Sequence, residues 1–290
     1  MLGGHCDMTD DIRQSRTQSR IWLLAGSIAL SAVSAAQAQP HTVSAVDITP
    51  FKAVYKLEFA PSDEKSPFQS GQGRFVIEFT GSRCTDYRMV RTLNVTLNTN
   101  NGPLNVKSEA TFAENAASSQ FAFSFTEQAN GKVSRQYNVL ARKNDNGGAT
   151  ITSRSLPGGK AELPKGTLFP LQHERMVIAA ATAGRKSLTL TAYNPEDAIG
   201  SVEQMSYTFG PESKNALPKG HPADIEALRT LTRQRVEVIF RNQQTGKIRV
   251  RERMTRFNNS ILTVSEALTE QLRIKASLAS LTLLPQKPCT

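Results

Sequence analysis

The chain has 290 residues, a formal net charge of +10 and only 7% aromatic residues. So few aromatics leave little for the two interfacial girdles of an integral outer-membrane barrel, and the basic balance points to anionic partners. An N-terminal export segment sets nucleic acid aside as one of them.

That segment comes first in the chain. Arg13, Arg16 and Arg20 precede the apolar run 21–34, and Ala36-Gln37-Ala38 has the small-x-small form of a cleavage site. The run is too short to span a bilayer, and no other stretch approaches the ~18 apolar residues that would. The pattern predicts a signal peptide over residues 1–38, cleavage after Ala38 and a soluble periplasmic chain. Asp7, Asp10 and Asp11 are unusual for a leader, and Met8 is an alternative start that would omit Cys6. Cleavage leaves Cys84 and Cys289. An even cysteine count in an exported chain reads as one disulfide rather than two thiols.

Residues 39–50 read as a flexible tether, and 51–290 as a single domain. Phe51 to Phe59 alternates apolar and polar residues and reads as a half-buried strand, as does Arg74 to Thr80. Residues 61–73 between them, with two glycines, read as a loop. Thr85 to Thr99 is long enough for a bent strand, and Asn100-Asn101-Gly102-Pro103 is a turn. Further strands are expected at Leu104–Phe112, Gln120–Gln128, Lys132–Arg142 and Ala149–Ser155, the middle two joined by Asn130-Gly131, a hairpin dipeptide. Each run has an apolar and a polar face, the mark of antiparallel sheet on a core rather than of βαβ units.

One helix interrupts this texture. Pro170 suits a first helical turn, Met176 to Ala183 is Ala-rich, and Gly184 followed by Arg185 and Lys186 is a stop signal. The helix is expected at Pro170–Ala183, plugging the sheet through Met176, Val177, Ala179, Ala180 and Ala183. Strands resume at Ser187–Tyr193, Ser201–Phe209, Gln234–Asn242, Lys247–Arg256, Ile261–Glu270 and Gln271–Leu278, with Ala279–Leu284 pairing on an edge.

No G-x-S-x-G, complete Walker A or H-E-x-x-H is present. His173-Glu174, at the helix start, has no second Cys or His cluster to join, and reads as structural. Neither a cofactor nor a metal is expected, and the chain reads as a non-enzyme. The strongest physical signal is electrostatic: nine Lys or Arg against Glu237 and Glu252 between Arg229 and Arg256. Strand alternation would set Lys247, Arg249, Arg251 and Arg253 in one outward stripe, a solvated face or an anionic contact site.

The block Gly166-Thr167-Leu168-Phe169-Pro170, with His173 three residues on, resembles a motif of the cell envelope integrity protein EipB family. The export signal, Gly81-Ser82-Arg83-Cys84 and the late Cys289 resemble that family too. Tyr87 and Leu171 stand where the family tends to carry Trp and Thr. The resemblance implies an all-β fold, a long antiparallel sheet curled into a spiral-like broken barrel around one central helix. It also implies a Cys84–Cys289 disulfide, a role in cell envelope integrity and a tetratricopeptide-repeat partner in the periplasm. The function expected is a non-catalytic envelope protein acting through protein–protein interaction, with anionic lipid or lipopolysaccharide as a further surface to meet. The alternative is a lipid or lipoprotein carrier, in which Phe121, Phe123 and Phe125 would line a hydrophobic groove.

Overall fold

The computed structural model describes residues 48–155, 159–197 and 199–286, all within one compact unit, Thr42–Thr290. The expected signal peptide, residues 39–47 of the expected tether, and Cys289 lie outside the described residues. The tether's last residues are packed: Ile48 is buried and joins the core.

Alternating sequence becomes strand after strand. The first half runs β1 (Phe51–Pro61), β2 (Phe68–Ser82), β3 (Thr85–Thr99), β4 (Gly102–Glu114), β5 (Gln120–Ala129), β6 (Lys132–Lys143), β7 (Ala149–Thr152) and β8 (Lys160–Leu163). The helix α1 (Pro170–Thr182) follows. Then come β9 (Ser187–Tyr193), β10 (Val202–Ser213), the short α2 (Glu226–Arg229), β11 (Arg233–Asn242), β12 (Ile248–Phe257), β13 (Leu262–Leu268) and β14 (Leu272–Leu283).

All fourteen strands join in one antiparallel sheet, ordered β8-β7-β6-β5-β4-β3-β2-β1-β14-β13-β12-β11-β10-β9. It curls into a nearly closed barrel. Sequence neighbours pair as hairpins, and the two halves meet where β1 pairs with β14, Phe51 opposite Leu283 and Pro61 opposite Leu272. At Asn130-Gly131 both residues have positive φ, 49° and 80°, the geometry of a type I′ turn. The expected strand after Gln271 and the edge segment after Ala279 are one element, β14.

Curvature has a local cause at β2. A Cβ on Gly71 would lie 2.6 Å from Leu97 Cδ2 and 3.2 Å from Phe59 Cβ, and one on Gly73 would lie 2.8 Å from the Cα of Val95. These two residues are strand, not the loop their glycines suggested. Bare backbone lets the inner face bend tightly there.

Helix α1 fills the interior. Leu171 and Ile178 belong to the core cluster of β1, Phe169 just before the helix to that of β4–β6, and Met176, Val177, Ala180 and Ala181 to that of β9–β12. A helix touching core on nearly every side is a central plug. It ends with Gly184 at φ 68°, the Arg185 N–H reaching back to the Ala180 carbonyl at 3.0 Å, a Schellman closure. Ala183, expected in the packed face, is exposed, because it is the cap residue beyond the last packed turn. Phe121, Phe123 and Phe125 are 2, 2 and 6% exposed and stack among Phe112, Phe169 and Tyr137. They fill core rather than line a cavity.

Candidate functional site

The motif Gly166 to His173 forms the passage from β8 into α1. Gly166 turns the chain with φ 82°, a conformation glycine adopts without strain. Leu168 then lies beside β9, its N–H donating to the Thr191 carbonyl and its own carbonyl accepting from the Tyr193 N–H, each at 2.9 Å. This short parallel bridge covers the outer edge of the sheet's last strand, which would otherwise be open to pairing. Phe169 is fully buried, stacked on Phe121 at 5.4 Å, with the Lys143 ammonium 4.5 Å from its ring centroid. That ammonium also donates to the Thr167 carbonyl, and burial lowers its pKa, opposed by Glu114.

Glu114 is the centre of this region. Its carboxylate accepts the Leu171 N–H at 3.0 Å and the Ser118 hydroxyl at 2.6 Å, and lies 3.5 Å from Arg175. A carboxylate there answers the free N–H groups and positive end of α1. Burial pushes the Glu114 pKa up, while Ser118 and Arg175 pull the other way. Arg175, nearly as buried, donates to Ser118 and sits 4.8 Å over the Tyr87 ring. Neither Glu114 nor Arg175 was singled out from the sequence. A signal existed: extending the inward row Ala110, Phe112 by two residues puts Glu114 on the core side of β4.

His173 and Glu174 turn to separate partners. His173 Nε2 meets the Tyr207 hydroxyl at 3.1 Å, and burial lowers its pKa to about 4. Glu174 binds Arg256 of β12 and Ser260 in the β12–β13 turn. There burial acts to raise its pKa, and Arg256 with the Ser260 hydroxyl outweighs it. Ser260 has φ 86°, a costly position for a residue with a Cβ; the Glu174 contact holds it. The motif and its surroundings thus work as a clamp joining α1 to β4, β10 and the β12–β13 turn.

The basic strand is less uniform than alternation suggests. Lys247 precedes β12 and pairs with Glu270 at 2.7 Å. The β11–β12 register shifts between Phe240 and Arg241, a bulge that re-aims side chains. Arg249 leaves the outward row there and forms ion pairs with Glu203, at 2.7 Å, and with Asp197. Arg253 pairs with Glu237 at 3.1 Å. Arg251 stays exposed. Cys84 sits in the β2–β3 turn, its N–H donating to the Ser82 hydroxyl at 3.2 Å.

Among the described residues, no helix is long and apolar enough to cross a membrane. The family model described as EipB-like matches residues 42–285. The cell envelope integrity protein EipB of Brucella abortus (strain 2308) is 31% identical over 176 residues, 60% of this chain and 61% of that protein. The chain thus spans about three-fifths of the length of the curated relative it matches. The crystal structure of a beta-barrel-like protein of a domain of unknown function from Brucella abortus aligns with a TM-score of 0.76 at 21% identity, covering 83% of this chain and all of that one. That likeness carries the fold.

Proposed function

The chain belongs to the EipB-like family, and from that premise we propose that it is an exported, non-catalytic protein that supports cell envelope integrity from the periplasm through contacts with other proteins. The observation that carries the reading is the use of the buried polar groups. Glu114, Arg175, His173, Glu174 and Arg256 all bind one another or the fold, an arrangement suited to a rigid body presenting surfaces. The name of the 31% identical relative supplies the envelope role. In this setting residues 1–38 are removed, and Cys84 joins Cys289 as a structural bridge. A tetratricopeptide-repeat protein is the partner class the reading carries.

The test is a deletion of the gene in its own host, scored for sensitivity to detergents that challenge the envelope. Restored resistance with the full chain, and recovery of a periplasmic protein by in-cell crosslinking, support the reading. Unchanged resistance in the deletion strain overturns it. Peptide mapping without reductant checks the bridge: two free thiols in periplasmic material would remove it.

A further inference from the structure

The outer face of β1, β14, β13, β12 and β11 carries a groove of about 720 Å³ that runs across the strands. Its geometry follows from register. The middle row, Phe59, Ile274, Ala267, Glu252 and Val238, is aligned strand to strand and belongs to the inward face. The residues just before and after each of these project outward, and two rows of side chains become the walls with backbone as floor.

One wall alternates in sign. Glu58 faces Lys275, Lys275 faces Glu266, Glu266 faces Arg253, and Arg253 faces Glu237. Across that wall Arg253 pairs with Glu237 at 3.1 Å, Glu58 pairs along its own strand with Lys56, and Lys275 and Glu266 each stand opposite residues of the other sign, which is favourable. The other wall is different: Arg273, Leu268 and Arg251 stand in register on adjacent strands, ending in Ala60 and Ile239. Leu268 is 40% exposed, one of the few large apolar side chains to be so. Among the described residues neither Arg251 nor Arg273 has an ion-pair partner, whereas Arg249 and Arg253, along the same strand as Arg251, do.

We propose that this groove binds an extended acidic segment of a partner protein, with carboxylates on Arg251 and Arg273 and an apolar side chain on Leu268. Two strand spacings place the arginine backbones roughly 10 Å apart. That matches residues three apart on one side of a polyproline-II chain, at about 3.1 Å per residue. Arginine grips carboxylate in two-point fashion. The mixed signs of the facing wall argue for a protein rather than a membrane. A broad phosphate-rich surface favours clustered cations and would also meet Glu58, Glu266 and Glu237, while a single extended segment can lay its carboxylates along the Arg251–Arg273 wall alone. This site rests on the protein-contact reading above and names its surface.

The probe is a peptide of Glu-Leu-Pro repeats, with the matching Gln-Leu-Pro peptide as control, titrated against the mature chain by fluorescence anisotropy. Saturable binding of the acidic peptide, at least about tenfold weaker for the Gln peptide and for Arg251→Gln/Arg273→Gln, is the expected result. These arginines are exposed, and circular dichroism of the variant should match the parent. Leu268→Glu, which puts a repelling charge between them, should lose binding as well. Equal binding by parent and double variant, no saturation, or binding only to phosphatidylglycerol vesicles would overturn the proposal. Failure here differs from failure of the envelope role. A double variant that restores detergent resistance as well as the parent removes the groove and leaves that role standing.

Discussion

The carboxylate of Glu114, at the end of β4, accepts the backbone N–H of Leu171 at 3.0 Å, so a strand residue caps a helix 57 positions away. The cap position itself is Phe169, whose side chain has no acceptor, and Gln172 in the first turn takes only the Phe169 N–H. Removing the charge in Glu114→Gln keeps the shape but leaves Arg175 buried without a counter-ion. The expected loss is about 3 kcal/mol of stability in urea unfolding. A variant as stable as the parent would show that Ser118 and the Ala116 carbonyl, which accepts from Arg175 Nη1 at 3.5 Å, suffice for Arg175.

His173 should make the fold acid-sensitive in a defined window. Its pKa is lowered by burial to about 4, with Glu174 opposing and Arg256 reinforcing. The folded value lies below the ordinary 6.5, so folding expels a proton. The resulting stability is complete above pH 6.5 and is lost as pH falls toward 4. Glu114 and Glu252, raised by burial, act with the opposite sign, so the informative quantity is the difference between parent and His173→Gln. That difference should shrink by up to roughly 3 kcal/mol between pH 6.5 and 4. Parallel stability curves would mean His173 is not held neutral.

Ala180 is 5% exposed between α1 and the β9–β12 core. Ala180→Leu should cost about 1–3 kcal/mol through overpacking, read as a lower melting temperature. Ala183→Leu, one turn on and exposed, should leave it unchanged. Equal effects at both sites would place the helix differently.

Gly73→Ala separates two effects by sign. Intrinsic preference favours alanine over glycine in a strand by about 0.5–1 kcal/mol. The absent Cβ, however, is what lets Val95 approach. A net loss of roughly 1–3 kcal/mol is expected. A gain would mean the sheet can open at that point without cost.

Much of this architecture was readable because its signals are local. Thr85–Thr99 and Ser187–Tyr193 match their strands at both ends, since alternation persists up to clear turn residues. The helix was legible from Pro170 and Gly184. Gly71 and Gly73 misled for a physical reason: glycine marks loops by freedom and tight bends by lack of volume, and sequence alone does not distinguish the two. β8 and α2, four residues each, are too short to show a period. At the candidate site the motif residues were visible, but their charged partners were not. Glu114 and Arg175 are brought together by tertiary packing, and the bulge that diverts Arg249 to Glu203 depends on pairing with β11. The pairing of Arg251 and Arg273 around Leu268 needs the register of three strands.

The union of β1 with β14 also governs how the molecule comes to exist. Residues Phe51 and Leu283, partners in the finished sheet, are made 232 positions apart. Every other neighbouring pair of strands is consecutive in the chain, so each half assembles from hairpins that close quickly. The joining step has the longest sequence separation in the fold, and such contacts are slow to form. Until β14 arrives, β1 is a bare edge with unpaired backbone groups, open to wrong partners. A nascent chain, or one cut before Leu272, therefore exposes an edge that the folded sheet does not, and β14 is the strand that closes it.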